Sequence, residues 1–439
     1  MSRKDPGSPP EVTKKTAGYI TQVRTYRLIT PLFGGGVSTG EHDPVTIIRG
    51  SSIRGQLRFW WRACRGGQFN GNLAEMKARE DLIWGAPASK DGKQGPSQVQ
   101  IHVQTLQNGT KDNPFEIKGG RLNPRQGSIV HPYAAFPLQP TEAEVKTWGS
   151  KTPLKSVQVG VSFDLTIIYP KLLPDGTSLI DDIEGALWAW EIFGGIGART
   201  RRGFGSLQCT HINTKPVPVP SEQVDAWLLK QWCRYVHHGS WTGDTATIPH
   251  LPYIAPGASL PNTVRLKKPE QKDDSPSIVW LSLIEKLKRF RQQRRNKHTG
   301  HIDPYGHSDW SEPNAIRTKA GKSQRGPHAT RSIDAAPRGA FGLPIVFHMP
   351  HDPGLNMTLQ INSDNDRFAS PLILKPLVWN DRAIGLAVIL QGSMVPRELR
   401  LKADTRVHPI QRTVTTSEAR QIPPLNGNPN VLQAFLNFL

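Results

Sequence analysis

Acidic residues are scarce in this chain. Over 439 residues, 36 Asp and Glu face 55 Lys and Arg, a formal charge of +19. An excess of that size points to an acidic partner, nucleic acid first. Cysteine is scarcer still: Cys64, Cys209 and Cys233 are too few and too scattered for a disulfide framework or a cysteine-based zinc site. Each reads as a small buried hydrophobe. No apolar run approaches the roughly 20 residues that a spanning helix needs, so no membrane partner is expected. The opening stretch Met1–Pro10 is polar and helix-breaking, neither signal peptide nor amphipathic anchor, and a cytoplasmic location follows. Also missing are a P-loop ending, a nucleophile elbow and a zincin motif, so neither catalysis nor a cofactor is expected.

Glycine and arginine are concentrated in one place. Gly194, Gly195, Gly197, Gly203 and Gly205 share twelve residues with Arg199, Arg201, Arg202 and Phe204, between a helix-like and a strand-like run. Glycine lets a backbone approach a ligand closely, and arginine adds planar charged donors for phosphate. The combination suggests a loop that grips a polyanion backbone; the plainer reading is a flexible, solvated connection.

The second feature is a helix over residues 52–65, with Ser51-Ser52 available to cap it. Ile53, Leu57, Trp60 and Cys64 share one face by their three-and-four spacing, and Arg54, Arg58, Arg62 and Arg65 form a neighbouring stripe. Like charges one turn apart repel, and no Glu or Asp lies within the helix to offset them. An uncompensated stripe is the footprint of an anion-binding face. With Arg49, Arg54, Arg58 and Arg62 on one side and the loop arginines on the other, the two features are expected to line a single groove.

Residues 1–16 read as disordered. Strands are expected at 19–30, 98–104, 157–169 and 206–212, with helices at 52–65 and 180–193 and a long insertion at 107–155. The order is β-α-β-β-α-β, the ferredoxin-like arrangement, over a first domain at 17–215. From 221 to 439 a second α+β domain of the same logic is expected, with helices at 224–236, 277–293 and 431–439 and strands at 344–347, 371–379 and 383–390. The stretch 296–338, rich in Gly, Ser, Pro, His and basic residues, reads as a mobile basic loop. The fold class is thus α+β, with tandem ferredoxin-like domains and long insertions.

Three segments carry a family resemblance: Ile29–Gly35, the run Ile48–Arg62 with its Leu-Arg-Phe-Trp-Trp-Arg core, and the loop 194–205. Together they resemble the RAMP superfamily of CRISPR proteins. Within it, the chain looks like the family of first RAMP subunits of the type III-B Cmr effector complex. Trp84-Gly85 and Arg367–Leu372 are consistent additions, whereas 107–155 and 240–338 match nothing in it. The resemblance implies a non-catalytic RNA-binding subunit at one end of a ribonucleoprotein. Its partners would be the 3′ region of a CRISPR guide RNA, single-stranded target RNA and the other subunits of the complex. In such complexes target cleavage belongs to repeated backbone subunits.

Other chemistry can be weighed on the residues. His298, His301 and His307 lack acidic or cysteine companions and read as solvated loop histidines, so no metal is expected. His237 and His238 could serve as acid and base in a metal-independent endoribonuclease of the same superfamily, and a helix-end pairing is the plainer reading. Glu41, His42 and Asp43 could position an RNA 2′-hydroxyl or form an acidic contact to a sister subunit. A protein-only assembly cap is the remaining alternative.

Overall fold

β-branched and aromatic residues make β1 (Tyr19–Leu28) a strand, and its alternation turns Tyr26 and Leu28 inward. The computed structural model describes residues 18–439 apart from 37–39, 44, 88–94, 272–273, 297, 326–332, 350–354, 362–366, 393–395 and 404–405. The expected disordered segment 1–16 lies outside the described residues. After β1 come α1 (Gly50–Arg65), α2 (Leu73–Trp84), β2 (Gln100–Gln107), β3 (Ser162–Pro170), α3 (Ile180–Phe193) and β4 (Leu207–Ile212). All pairings are antiparallel and the strand order is β2-β3-β1-β4, with the short Lys215–Pro216 outside β4. With α2 following α1, these elements run β-α-α-β-β-α-β, one helix more than the β-α-β-β-α-β order read from the sequence. The overall class is α+β.

α1 and α3 cover one face of this sheet. Tyr26 stacks on Phe163 at 5.2 Å and meets Trp190 of α3 edge-on at 5.4 Å, in a core with Trp60, Trp61 and Phe193. A polar network runs through the same layer. Arg24, 5% exposed, reaches Glu184 at 2.6 Å and Glu191 at 3.0 Å, and the Tyr26 hydroxyl donates to Glu191 at 2.6 Å. Burial first, then the Glu191 charge, pushes the Tyr26 phenol well above its ordinary value. Both carboxylates come from α3, so Arg24 fixes that helix to the sheet by charge as well as by packing.

The second half holds α4 (Val224–Tyr235), β5 (Val264–Lys267), α5 (Pro276–Arg291), α6 (Glu312–Lys319), β6 (Ile345–Phe347), β7 (Met357–Gln360), β8 (Leu372–Trp379), β9 (Arg382–Ile389), β10 (Glu398–Ala403), β11 (Arg406–Gln411) and α7 (Val431–Phe438). They build two sheets, β5-β9-β8 and β6-β7-β10-β11. Ile373, Leu377, Leu386 and Val388 of the first of these belong to the same core cluster as Trp190 and Trp232. The halves therefore share apolar packing.

Several elements differ from the sequence reading. The expected strand 157–169 is two, Val157–Val159 and β3, because Gly160 turns the chain at φ +79°. Val157–Val159 pairs instead with Thr110–Asp112 of the insertion, which also holds a hairpin, Phe115–Lys118 with Arg121–Pro124, and a helix, Glu142–Trp148. The stretch 296–338 includes α6 among its described residues, and the two-residue strands Arg294–Arg295 and His307–Ser308 pair across its start. Fully buried carboxylates hold it: Asp309 accepts from Arg295 at 2.8 Å, and Glu312 pairs with Arg338 at 3.1 Å. No residue type in the run advertised those partners.

Arg24→Ala removes one cation from two half-buried carboxylates. Breaking such a network costs about 3–5 kcal/mol. Urea unfolding should show a loss of that size, with near-ultraviolet circular dichroism of the folded state unchanged.

Candidate nucleic-acid interface

The open face of the first sheet is mostly polar, with Tyr19 at the start of β1 and His102 of β2 as rings on it. Across it lie His102, Thr166 and Val23 in one row and Gln104, Asp164 and Thr25 in the next, followed by Ser162, Arg27 and Gln208. These residues include one ring, His102, and no Phe, Tyr or Trp of the kind that RNA-recognition modules stack on bases. The cationic helix and the glycine loop are the remaining features.

α1 begins at Gly50 with Arg49 as N-cap and no side-chain capping bond; Ser51 and Ser52 lie inside its first turn. Ile53, Leu57, Trp60, Trp61 and Cys64 are buried as their spacing requires, and Trp61 is closed off entirely. The arginine stripe is not uncompensated, which corrects the sequence reading. Glu80 of α2, 3% exposed, accepts from Arg58 at 2.7 Å and from Arg62 at 2.6 Å, and Asp81 takes Arg58 at 3.4 Å. Arg65, the fourth of the stripe, is buried against Asp182 at 2.8 Å. The acids sit on other helices, so the spacing within α1 could not reveal them. Arg54 has no acidic partner among the described residues and gives one bond to the Val99 carbonyl at 3.1 Å. Burial, then Arg58, lowers its guanidinium below the ordinary value. Arg49 donates to the Gly35 carbonyl.

A buried carboxylate that takes two guanidinium groups holds both in fixed orientation and leaves each with further N–H donors. Beside them opens a cleft of about 640 Å³, lined by Arg58, Phe59, Arg62, Met76, Lys77 and Pro249 among others. Arg201 of the glycine loop lies over the Phe59 ring at 5.8 Å. The loop and α1 therefore do meet, at Phe59.

The loop itself is tightly bound to its own protein. Ile196, Ala198, Gly203 and Gly205 donate their N–H groups to the carbonyls of Gly205, Phe33, Thr200 and Pro31. Gly205 sits at φ +58°, where an added Cβ would stand 2.0 Å from the Ile196 carbonyl oxygen. Gly203, at φ +80°, would drive a Cβ to 2.7 Å from the Leu374 oxygen. Gly194, Gly195 and Gly197 are similarly hemmed in, by Trp60, the Gly205 carbonyl and the Phe33 carbonyl. These glycines permit close backbone packing against the first strand's end and the second half.

The loop arginines reach the same neighbours. Arg202 donates to Leu372 at 3.0 Å and to Phe341 at 3.1 Å, Arg201 to Ser370, and Arg199 to Ala134 at 3.3 Å, all backbone carbonyls. Burial first, then the neighbouring Arg291, brings the Arg202 guanidinium down to about 9, so it stays charged at neutral pH. Phe204 is fully buried between Phe33 at 5.1 Å and Trp280 at 4.8 Å. Lys375 of β8, which sequence reasoning missed, completes the junction. Wholly buried, it donates to the carbonyls of Glu191 at 2.7 Å and Gly194 at 2.9 Å at the end of α3. A lysine inside an apolar strand run, Leu372–Leu377, was the available signal.

The remaining candidates occupy other roles. Asp43 accepts from the N–H groups of Val45 at 2.9 Å and Thr46 at 2.8 Å, which lowers its carboxyl, and the His42 ring bonds Gln158 at 2.8 Å. Burial, then Arg65, lowers His237, while His238 lies edge-on to Tyr253 at 4.6 Å. Cys64 is buried, Cys209 and Cys233 partly so, and all three are free thiols. Among the described residues no group of three or more His, Cys, Asp or Glu is placed to hold a metal, and no helix is long and apolar enough to cross a membrane.

Residues 25–208, from within β1 into β4, match the family model of the RAMP superfamily. The similarity to that superfamily is the one that the motifs of α1 and the glycine loop led us to expect. Over 197 residues, 41% of this chain and 90% of the relative, the chain is 26% identical to the protein named CRISPR system Cmr subunit Cmr1-2 of Pyrococcus furiosus. Solved structures show a looser likeness. The crystal structure of Cmr1 from Pyrococcus furiosus in its apo form matches with a TM-score of 0.45 and 15% identity, covering 86% of this chain and 90% of that one. A chain in the cryo-EM structure of the type III-B Cmr-beta bound to cognate target RNA matches at 0.46 and 13%, covering 95% and 100%.

Burial holds the Lys375 ammonium down to about 7, against an ordinary value of 10.5. A neutral amine still has two N–H donors for its two carbonyls. Between those two values the unfolded chain binds a proton that the folded chain does not, so this lysine makes stability rise with pH across that window. The slope is at most about 1.4 kcal/mol per pH unit. Lys375→Met should remove that part of the rise, read as the difference between wild-type and variant urea midpoints from pH 7 to pH 10.

Proposed function

We propose that this chain is a non-catalytic, RNA-binding subunit of a type III-B CRISPR effector complex, cytoplasmic and without a cofactor. It holds the 3′ region of a guide RNA and meets single-stranded target RNA at one end of the assembly. The observation that carries this reading is the pair Arg58 and Arg62, set on the buried Glu80 beside the Phe59 cleft, with Arg54 one turn away and unpaired by any acid among the described residues. The net charge of +19 and the similarity to a protein named as a Cmr subunit support it.

The division of labour follows from what each arginine already does. Arg58 and Arg62 line the cleft and take phosphates there, and Arg54, one turn before Arg58 on α1, takes a further one. Arg199, Arg201, Arg202 and the glycines Gly194, Gly195, Gly197, Gly203 and Gly205 frame the site by holding the loop to the second half, with Phe204 as its buried anchor. Arg49 fixes the start of α1. Contacts of this kind set register on the backbone without reading sequence, which suits a protein whose guide changes and whose specificity comes from base pairing. Domain limits of 17–215 and 221–439 fit this reading, each unit being derived from a ferredoxin-like one. Three strands of the second unit, β5-β9-β8, take the places that β1, β3 and β2 hold in the first.

Filter binding of labelled single-stranded RNA to the purified chain across a salt series tests it. Affinity should fall steeply with salt, and Arg54→Ala should weaken every sequence alike while lowering the slope by about 0.7, one phosphate contact on a single strand. RNA held without salt dependence, or cut into discrete products, would overturn the proposal.

A further inference from the structure

The two halves differ at one position of their sheets. In the first, β4 lies beside β1 as the outer neighbour. In the second, the corresponding strand β5 is the sheet's edge, and no strand lies beyond it among the described residues. The register shows which backbone groups are left over. Ile389 donates to the Thr263 carbonyl at 2.9 Å, so Thr263, Arg265 and Lys267 are the residues that exchange bonds with β9. Val264 and Leu266 direct their N–H and C=O groups the other way. Val264 spends its N–H on the Pro261 carbonyl at 2.9 Å, and Leu266 keeps both groups facing outward.

What lies outside that edge is a cleft of about 1330 Å³. Val264 and Leu266 point to one face of the sheet and Arg265 to the other, yet all three line it, so the cleft exposes the strand's edge itself. Its far wall is the start of α4 with Leu229, and Trp379 and Ile384 of the β8–β9 hairpin close one end. Four residues of strand span about 13 Å at ~3.3 Å each, which sets the length of segment that could pair.

The charges choose the occupant. Arg265, Lys268 and Arg382 line the cleft and are exposed, and none has an acidic partner among the described residues. The two acids there are already engaged: Glu222 pairs with Lys230 at 2.8 Å, and Asp225 accepts from the Ala226 N–H at 2.9 Å. We propose that the β5 edge is a strand-addition site for an extended segment of another protein subunit, alternating apolar with Asp or Glu residues. Its backbone pairs with Leu266, its apolar side chains pack on Leu229 and Ile384, and its carboxylates meet Arg265, Lys268 and Arg382. An unpaired edge alternates donor and acceptor, and another peptide backbone answers both, whereas RNA would use the cations alone.

Fluorescence anisotropy on the full chain tests this with a panel of labelled peptides of about ten residues, long enough to cover the edge. The panel alternates Val or Ile with Glu; one control panel carries Lys for Glu, another is N-methylated on alternate amides. Acidic peptides should bind at least about tenfold tighter than Lys peptides, a gap of ~1.4 kcal/mol. N-methylation should abolish binding. Leu266→Pro removes the outward N–H without touching the β9 ladder and should weaken the acidic peptides, as should Lys268→Glu with Arg382→Glu at the surface. RNA binding through α1 should survive all three changes, which separates this inference from the proposed function. Failure of every acidic peptide, equal binding of the N-methylated panel, or RNA affinity lost with Lys268→Glu and Arg382→Glu would each overturn it.

Discussion

Buried cations on backbone carbonyls join the halves of this molecule. Arg202 crosses from the glycine loop to Leu372 and Phe341, Arg201 to Ser370, and Lys375 returns from β8 to Glu191 and Gly194. A carboxylate partner would have met each charge more strongly, yet it would tolerate many geometries. Carbonyls are fixed by the backbone, so each bond demands one placement of the loop against β8. Removing a donor leaves several buried carbonyls without partners, a cost of about 1–3 kcal/mol for each group. The glycines serve the same end, because a Cβ at Gly203 or Gly205 would hold the surfaces apart.

This junction shapes the candidate interface without belonging to its working surface. Arg201 backs the Phe59 ring from the loop side, and the cleft opens near Phe59 with Arg58 and Arg62. Glu80 does for α1 what the carbonyls do for the loop: it sets guanidinium groups in place before any ligand arrives. Pre-set donors lose less freedom on binding, and a buried positive junction behind them raises the local potential toward an anion. The acid thus weakens the stripe's net charge while sharpening its geometry.

Much of the architecture could be read from the chain. The inward alternation of β1, the apolar face of α1 and the full length of α3 follow from periodicity, which depends on residues three or four places apart. The relative order of β1, α1, β2, β3, α3 and β4 followed as well, without α2 between α1 and β2. α2 stayed unread because its apolar residues are spread around the helix and not gathered on one face, and with it went Glu80 and Asp81. The hairpin of β10 and β11 was missed likewise, since β11 contains Pro409 and buries only Ile410, although Leu399 and Leu401 alternate in β10. A run rich in glycine and histidine concealed α6, whose hold comes from the buried Asp309 before it and from Glu312 at its start.

Composition and spacing determined that this is a basic α+β protein with a cationic helix and a glycine-arginine loop. Only tertiary structure decided what those arginines face. Glu80 lies 22 residues from Arg58 and 18 from Arg62, and Lys375 lies 184 and 181 residues from the carbonyls it meets. Charge is a property of the side chain and survives in the sequence. Its partner is a property of how distant segments pack, and no local pattern records that.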